Sequence, residues 1–137
     1  MKWFHTTVRV AWGDTDAAGV VWFGTFCRYL EVAEAALFDA SGRPLPAFFS
    51  EHQIVMPRTE LKCVFRSPAR FDDVLDVALG VESASERRIR FAYEIRQHTS
   101  GRLVSEGSYE IACVDKATFK GRPFPAEVTG IFEKAFA

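Results

Sequence analysis

Two periodicities divide the chain into an N-terminal strand, a long helix and a β-rich remainder. Residues 6–12 alternate between apolar and polar positions, which is typical of a half-buried strand. From about Phe23 the apolar residues recur at i, i+3, i+4 and i+7. The intervening positions are charged: Arg28, Glu31, Glu34 and Asp39. This spacing predicts an amphipathic helix of about five turns, with these charges on its polar face and its end at Gly42 and Pro44.

The second half of the chain changes to period two. Four alternating segments cover residues 59–66, 75–82, 88–96 and 109–113, and short turn signals separate them. Short turns join antiparallel neighbours, so the order predicts an α+β two-layer domain in which one long helix covers one face of a five-stranded antiparallel sheet. A short helical turn is predicted from Ala126. No linker or repeat interrupts the chain, so residues 1–137 are predicted to form a single domain.

Composition and charge narrow the function classes. The chain has 137 residues, 48% hydrophobic and 26% charged, which excludes a disordered chain. A formal net charge of −1 gives no reason to expect a nucleic-acid partner. The 13 Phe residues favour aromatic packing or an apolar ligand cavity. One helix also leaves a sheet face and both sheet edges open, which favours a homo-oligomer, either a dimer or a tetramer.

The cysteines and the N-terminus predict a cytoplasmic protein. Cys27, Cys63 and Cys113 are widely separated and have no zinc-binding spacing, so no metal is expected. The first residues contain no apolar signal core, and no stretch is long enough to span a membrane. We therefore expect neither a membrane partner nor a disulfide framework.

The segment between the first strand and the helix carries the candidate chemistry. Asp14 and Asp16 are separated by one residue and precede a turn that contains Gly19 and leads into the helix. The first turn of a helix has unpaired N–H groups and the positive end of the helix dipole, so it can polarise a carbonyl oxygen. A carboxylate just before it can attack the polarised carbon or activate a water. Four apolar residues follow the turn: Val20, Val21, Trp22 and Phe23.

Plainer interpretations of these residues stay open. An Asp in a turn often accepts a hydrogen bond from its own backbone, and this would also explain Asp16. The three His residues are isolated from one another along the chain and have no marks of a catalytic group. No Ser lies in a G-x-S-x-G context, which argues against a serine-hydrolase triad.

The residues from Asp14 to Phe23 resemble the motif of the hotdog-fold acyl-CoA thioesterases, within the 4-hydroxybenzoyl-CoA thioesterase family. That motif is D-x-D-x-x-G-[IV]-V with an aromatic residue, placed between a short strand and the central helix. The likeness continues through residues 26–31 on the helix and through residues 65–74, the strand–loop–strand passage of the family. The resemblance implies the hotdog fold and hydrolysis of an acyl-CoA to a carboxylic acid and coenzyme A. It implies no cofactor, because coenzyme A is part of the substrate.

The resemblance also implies roles for single residues. Asp16 matches the catalytic Asp, which acts as nucleophile or general base towards the thioester carbonyl. Phe23 matches the residue whose main-chain N–H binds the thioester oxygen, and Gly19 matches the turn glycine. Asp14 matches a structural residue that caps the turn. Glu31 matches an acidic helix position that lines the acyl pocket or orders a water.

Further residues are candidates for holding the substrate. Trp22 and Phe26 are candidates for contact with the acyl group. The basic stretch of Arg87, Arg88 and Arg90 resembles a contact to the phosphates of coenzyme A, which require Arg or Lys. The other basic candidates are Arg58, Arg66, Arg70 and Arg122. In this fold the nucleotide commonly lies at a subunit interface, so a partner chain is a further source of such residues.

The acyl group and two rival functions remain open. The segment resembles the aromatic-acyl branch most closely, such as 4-hydroxybenzoyl-CoA, and short aliphatic acyl-CoA is the main competitor. A hydratase or dehydratase of the same fold would need a His near Asp16, and the sequence has none there. A non-catalytic module that binds acyl groups or coenzyme A is the third hypothesis.

Overall fold

A five-stranded antiparallel sheet forms the backbone of the structure, a computed structural model that describes residues 1–136. Its strands are β1 (Trp3–Arg9), β3 (Arg58–Phe65), β4 (Val74–Ala84), β5 (Arg88–Gln97) and β6 (Leu103–Ala112). They are ordered β1-β4-β5-β6-β3. The short strands β2 (Ile54–Val55) and β7 (Val114–Asp115) pair separately. The sequence prediction of five antiparallel strands is confirmed, and short turns join β4 to β5 and β5 to β6. The connection between β3 and β4 is a correction, because these two strands are not neighbours and β3 pairs with β6 at the sheet edge.

Three helices cover one face of the sheet. They are α1 (Thr25–Asp39), α2 (Leu45–His52) and α3 (Ala126–Phe136). The apolar stripe of α1 faces the sheet and is buried, and it consists of Phe26, Tyr29, Leu30, Ala33 and Leu37. Each of the larger side chains contributes roughly 1.5–3 kcal/mol by its burial. The helix is therefore held by its packing on the sheet more than by its own helix propensity.

An aromatic cluster joins the helices to the middle of the sheet. The Phe38 ring of α1 packs against Phe48 of α2 and Phe132 of α3, with ring centroids 5.3 and 6.0 Å apart. Phe132 also meets Phe91 of β5 at 5.8 Å. All three helices thus share one core, and much of the high Phe content is used for this packing, as the sequence suggested.

The prediction of a single helix is wrong. α1 has 15 residues, close to four turns rather than five, and it begins two residues after Phe23. The predicted end is right, because α1 stops before Gly42, whose φ is +93°. Pro44, expected to end the helix, is instead the N-cap of α2, where a missing N–H costs nothing. The C-terminal segment is a full helix of 11 residues rather than one turn.

The sheet edge at β3 carries exposed apolar residues. In the described residues, this strand pairs only with β6, so its outer edge has no strand beside it. Leu61 and Phe65 point towards α1 and are 47% and 51% exposed. Apolar residues on an unpaired edge favour association with another chain. Across residues 1–136, no helix has the length and apolar character needed to cross a membrane.

Candidate active site

A tight turn places Asp16 between β1 and α1. Thr15 and Val21 form an antiparallel bridge, and Asp16 N donates to the carbonyl of Val20 at 2.9 Å. Gly19 N then donates to the carbonyl of Asp16 at 2.9 Å, which closes the turn over residues 16–19. Gly19 has a φ of +79°, which a residue with a Cβ adopts only with strain. This glycine therefore fixes the direction in which the turn leaves Asp16.

Asp14 precedes this turn and connects it to α1 through hydrogen bonds. Its side chain is buried and accepts from Ala11 N at 2.8 Å, from Arg28 at 2.6 Å and from the Tyr29 hydroxyl at 3.0 Å. Burial alone would raise the pKa of Asp14, but these hydrogen bonds outweigh it and lower the pKa below the ordinary carboxyl value. The Thr25 hydroxyl also donates to the Asp14 carbonyl at 3.2 Å. This is the environment of a structural residue, as the family resemblance implies.

Asp16 has the opposite environment. Its side chain is exposed, and Oδ1 accepts a hydrogen bond from Ala18 N at 2.8 Å. Within residues 1–136 no Lys, Arg or His forms an ion pair with it. The local hydrogen bond is the one expected of any Asp in a turn, and the second oxygen remains available. The carboxylate is therefore free to meet a ligand.

The start of α1, which the turn at Asp16 leads into, offers unpaired main-chain donors. Thr25 N bonds to the carbonyl of Trp22 at 3.0 Å, but the amides of Phe23 and Gly24 donate to no acceptor in the described part of the chain. Gly24 is the N-cap and supplies no side-chain cap. Free amides at the positive end of a helix can stabilise a developing oxyanion. The site therefore combines a free carboxylate with free N–H donors.

An apolar cavity of about 320 Å³ opens beside the start of α1. Its walls come from three segments: Val20 and Val21, Phe23 and Phe26, and residues 65–69. The Phe26 ring packs on Phe65 with centroids 5.4 Å apart, and the Trp22 ring meets Phe23 at 5.5 Å. Asp16 does not line this cavity itself, although Val20, its hydrogen-bond partner, does. Phe26 and Phe23 thus face the cavity, whereas Trp22 lies on the exposed surface next to it.

Two further cavities continue along α1, away from the turn. The nearer one has a volume of about 130 Å³ and the farther one about 360 Å³. The nearer one is lined by Cys27, Leu30, Glu31, Arg58, Leu61 and Tyr109. Glu31 lines both cavities, which is compatible with the acyl-pocket position that the resemblance implies.

The ion pair between Glu34 in the second half of α1 and Arg58 of β3 was not predicted from the sequence. Glu34, assigned above to the polar face of the helix, is 1% exposed and pairs with Arg58 of β3. The Tyr109 hydroxyl donates to Glu34 at 3.2 Å. Burial raises the pKa of Glu34, and the positive charge of Arg58 opposes this shift. The available signal was the position of Glu34, four residues after Leu30 and three before Leu37, which puts it on the apolar stripe.

The predicted phosphate contacts lie away from these cavities. Arg88 and Arg90 alternate with the buried residues of β5, so they project from the sheet face opposite α1. Arg88 pairs with Glu110 at 2.8 Å, and Arg87 donates to the carbonyl of Gly121 at 3.3 Å. Arg90 is near three carboxylates, those of Glu60, Glu82 and Glu110. These charges are partly neutralised by their own chain, and the structure does not bring them to the turn at Asp16.

Arg66 and Arg122, two of the other basic candidates, also pair with carboxylates of their own chain. Arg66 pairs with Glu106 at 3.1 Å and Arg122 approaches Asp115 at 3.5 Å. Two of these candidates line cavities beside α1: Arg66 lines the one at the start of the helix, and Arg58 lines the two farther along it.

One cluster has side chains of the kinds that bind metals. Glu51, His52 and Glu127 bring their ligand atoms within 4.8 Å of one another. However, Arg43 forms ion pairs with both carboxylates, and His52 bonds to Glu127 at 3.0 Å. These contacts lower the pKa of Glu127, chiefly through the hydrogen bond from His52. The Arg43 guanidinium already supplies the positive charge that pairs with both carboxylates, so the cluster connects α2 to α3.

The fold and this site define a thioesterase-like protein. Residues 10–132 match the family model of the Thioesterase-like superfamily, and the chain belongs to that superfamily. The sequence is 28% identical over 129 residues to acyl-CoA thioesterase YbgC of Haemophilus influenzae, covering 94% of this chain and 93% of that protein. It is 29% identical over 117 residues to 1,4-dihydroxy-2-naphthoyl-CoA hydrolase of Synechocystis, covering 85% of each.

Solved structures agree with the fold. A crystal structure of a 1,4-dihydroxy-2-naphthoyl-CoA thioesterase from Synechocystis superimposes with a TM-score of 0.88 at 27% identity, covering 95% of each chain. The hotdog-like α+β arrangement implied by the resemblance is thereby confirmed. The relatives are named as thioester hydrolases, which is the enzyme class that the sequence analysis predicts.

Proposed function

We propose that this protein is an acyl-CoA thioesterase that hydrolyses an acyl-CoA to a carboxylic acid and coenzyme A. The observation that carries the proposal is the free carboxylate of Asp16 on the turn that leads into α1, together with the unpaired amides of Phe23 and Gly24 at the start of that helix. The superfamily assignment and the names of the relatives point to the same class of reaction. We further propose that residues 1–137 act as one thioesterase domain.

In the proposed reaction the thioester carbonyl oxygen accepts a hydrogen bond from Phe23 N. This polarises the carbonyl carbon, and an oxyanion formed there stays next to the positive end of α1. Asp16 then attacks the carbon to form an anhydride, or it removes a proton from the water that attacks. In either route the C–S bond breaks and coenzyme A leaves as the thiol. In the first route water then hydrolyses the anhydride, which releases the carboxylic acid and restores Asp16, and in the second route the attacking water becomes part of the acid directly.

We propose an aromatic acyl group as the substrate, with a short aliphatic group as the competing choice. The cavity beside the turn is walled by the Phe23, Phe26 and Phe65 side chains, which suit a flat apolar ring. Trp22 lies at its rim. The narrower assignment to 4-hydroxybenzoyl-CoA rests on the motif from Asp14 to Phe23, and the naphthoyl-CoA relatives also act on an aromatic thioester by name.

We also propose that the working form is a homo-oligomer, a dimer or a tetramer. The unpaired edge of β3 provides a surface for a second copy. A second copy would also enclose Asp16, whose side chain is exposed in the single chain. In such an assembly Arg87, Arg88 and Arg90 are the proposed contacts for the phosphates of coenzyme A.

The test is thiol release from benzoyl-, 4-hydroxybenzoyl-, butyryl- and palmitoyl-CoA, followed with a thiol reagent. Turnover that is fastest with one of the aromatic thioesters is the expected result. A clear preference for palmitoyl-CoA would contradict the aromatic proposal. Tight binding of all four thioesters without thiol release would instead indicate a non-catalytic binding module, and hydration of crotonyl-CoA would indicate a hydratase.

A further inference from the structure

Three separate cavities follow one another along the groove between α1 and β3. The helix and the strand run in opposite directions, so Phe26 meets Phe65 near the turn, and Leu30 and Leu61 share the next cavity. Arg58 at the start of β3 lines the far end of the groove. From Thr25, its first residue, to Glu31 the helix rises roughly 9 Å, at 1.5 Å per residue. An acyl group bound at the turn would therefore extend towards Arg58.

Arg58 is held in place by groups that are themselves buried. One guanidinium nitrogen donates to the buried carboxylate of Glu34, and another donates to the carbonyl of Met56 at 3.0 Å. The guanidinium also lies over the Tyr109 ring, 5.9 Å from its centroid. Tyr109 in turn donates to Glu34 at 3.2 Å. The side chain of Arg58 remains 40% exposed, on the groove side of this network.

The ion pair between Glu34 and Arg58 adds little to the stability of the fold by itself. Removing a carboxylate and a guanidinium from water offsets most of their attraction, and apolar residues of similar volume usually serve a core as well. An Arg side chain has five N–H donors. In the described residues, Arg58 directs donors only to Glu34 and Met56, so several remain for a ligand in the groove.

Glu31 supplies an acceptor next to these donors. Its carboxylate is exposed, lines the same two cavities as Arg58, and forms no ion pair in residues 1–136. A donor and an acceptor side by side suit a hydroxyl group, which both accepts and donates a hydrogen bond. A ligand carboxylate would be repelled by Glu31, and a methyl group would give no partner to Glu31 or to the remaining Arg58 donors.

We propose that Arg58, positioned by Glu34 and acting with Glu31, determines specificity by binding a hydroxyl group at the distal end of the acyl group. This inference rests on the proposed function. It makes Glu34 a positioning residue, because its carboxylate acts through Arg58. A polar pair of this kind discriminates strongly against a substrate that lacks the hydroxyl, whereas an apolar pocket does not.

The test compares kcat/KM for 4-hydroxybenzoyl-CoA with kcat/KM for benzoyl-CoA. The variants are Glu34→Gln/Arg58→Met, in which the Gln oxygen still accepts from Tyr109, and Arg58→Lys, which keeps a charge opposite Glu34. We expect the ratio of the two kcat/KM values to fall at least ~10-fold in both variants. The matched control is Arg96→Met, because Arg96 is also ion-paired, to Glu94 at 3.2 Å, but projects from the opposite sheet face.

A ratio within about twofold of the wild-type value in either folded variant would overturn the proposal, as would a wild-type protein without preference between the two thioesters. If the wild type releases no thiol from either thioester, the proposed catalysis fails, and binding of 4-hydroxybenzoate and benzoate tests the groove by itself. Preference for the hydroxylated acid that disappears in Glu34→Gln/Arg58→Met would then support the assignment. Equal affinity for the two acids would overturn it.

Discussion

Asp14 and Asp16 are separated by one residue, yet the fold gives them opposite environments. Asp14 is buried and accepts hydrogen bonds from three donors, including Arg28 of α1. Asp16 is exposed and accepts one hydrogen bond, from the backbone of its own turn. The buried carboxylate has no capacity left for a ligand, whereas the exposed one has. Their roles therefore follow from their partners and not from the spacing of the motif.

The largest expected effect is on turnover when Asp16 is changed. Asp16→Asn removes the charge but keeps the size of the side chain and its acceptor oxygen. We expect kcat to fall at least ~100-fold, because the group that attacks or activates water is lost. The Tm should stay within about 2 °C of the wild type, since exposed positions contribute little to stability.

Asp39→Asn is the matched control for this change. Asp39 is another exposed Asp, at the far end of α1, and its replacement should leave kcat unchanged. Unaltered turnover in a folded Asp16→Asn protein would contradict the catalytic role.

The next effect is on stability when Asp14 is changed. Asp14→Ala leaves Arg28, Tyr29 and Ala11 N without their shared acceptor. We expect unfolding in urea to show a loss of about 2 kcal/mol, a value set by the charged hydrogen bonds and moderated by the exposure of Arg28. Stability equal to that of the wild type would show that the buried network does not hold the turn.

A smaller effect is expected at Gly19. A Cβ added at Gly19 or at Gly13 meets no atom within 4 Å, but only Gly19 has a positive φ, +79°. Gly19→Ala should therefore cost about 1 kcal/mol through backbone strain, measured by urea unfolding, and Gly13→Ala should cost much less. Equal costs at the two positions would contradict the strain argument.

The smallest effect concerns pH. The folded pKa of Asp14 is lowered, because its hydrogen bonds outweigh the opposing effect of burial. A lowered pKa adds stability above the ordinary carboxyl pKa of about 3.9, and this stability is lost as the pH falls through the folded value. The free energy of unfolding, measured by urea unfolding, should therefore fall more between pH 6 and pH 3 for the wild type than for Asp14→Asn. Parallel losses in the two proteins would argue against the lowered pKa.

The periodicity predicted the sheet and α1 because both elements bury one regular face. It failed for α2, whose eight residues are too few to show a helical period and follow a proline. It also misplaced Glu34, since a charged residue is normally assigned to the exposed face. Glu34 is buried because its partner Arg58 comes from a strand 24 positions away, and the sequence contains no local sign of that pairing.

The site was predictable to the extent that it is local. The turn, its glycine and the start of α1 lie within ten consecutive residues, so their motif identifies them together. The groove is different, because it is assembled from α1, β3 and β6, and only the folded sheet brings Tyr109 beside Glu31 and Arg58. Residues contributed by distant strands had no signal in a single sequence.

Central to this account is the contact between a thioester carbonyl and the free amides at the start of α1. Infrared spectroscopy of benzoyl-CoA carrying a ¹³C-labelled carbonyl, bound to the Asp16→Asn variant, measures that contact directly. Hydrogen bonds from Phe23 N and Gly24 N should shift the labelled C=O band to lower frequency than in buffer. A bound ligand whose C=O band stays at its frequency in buffer would contradict the account.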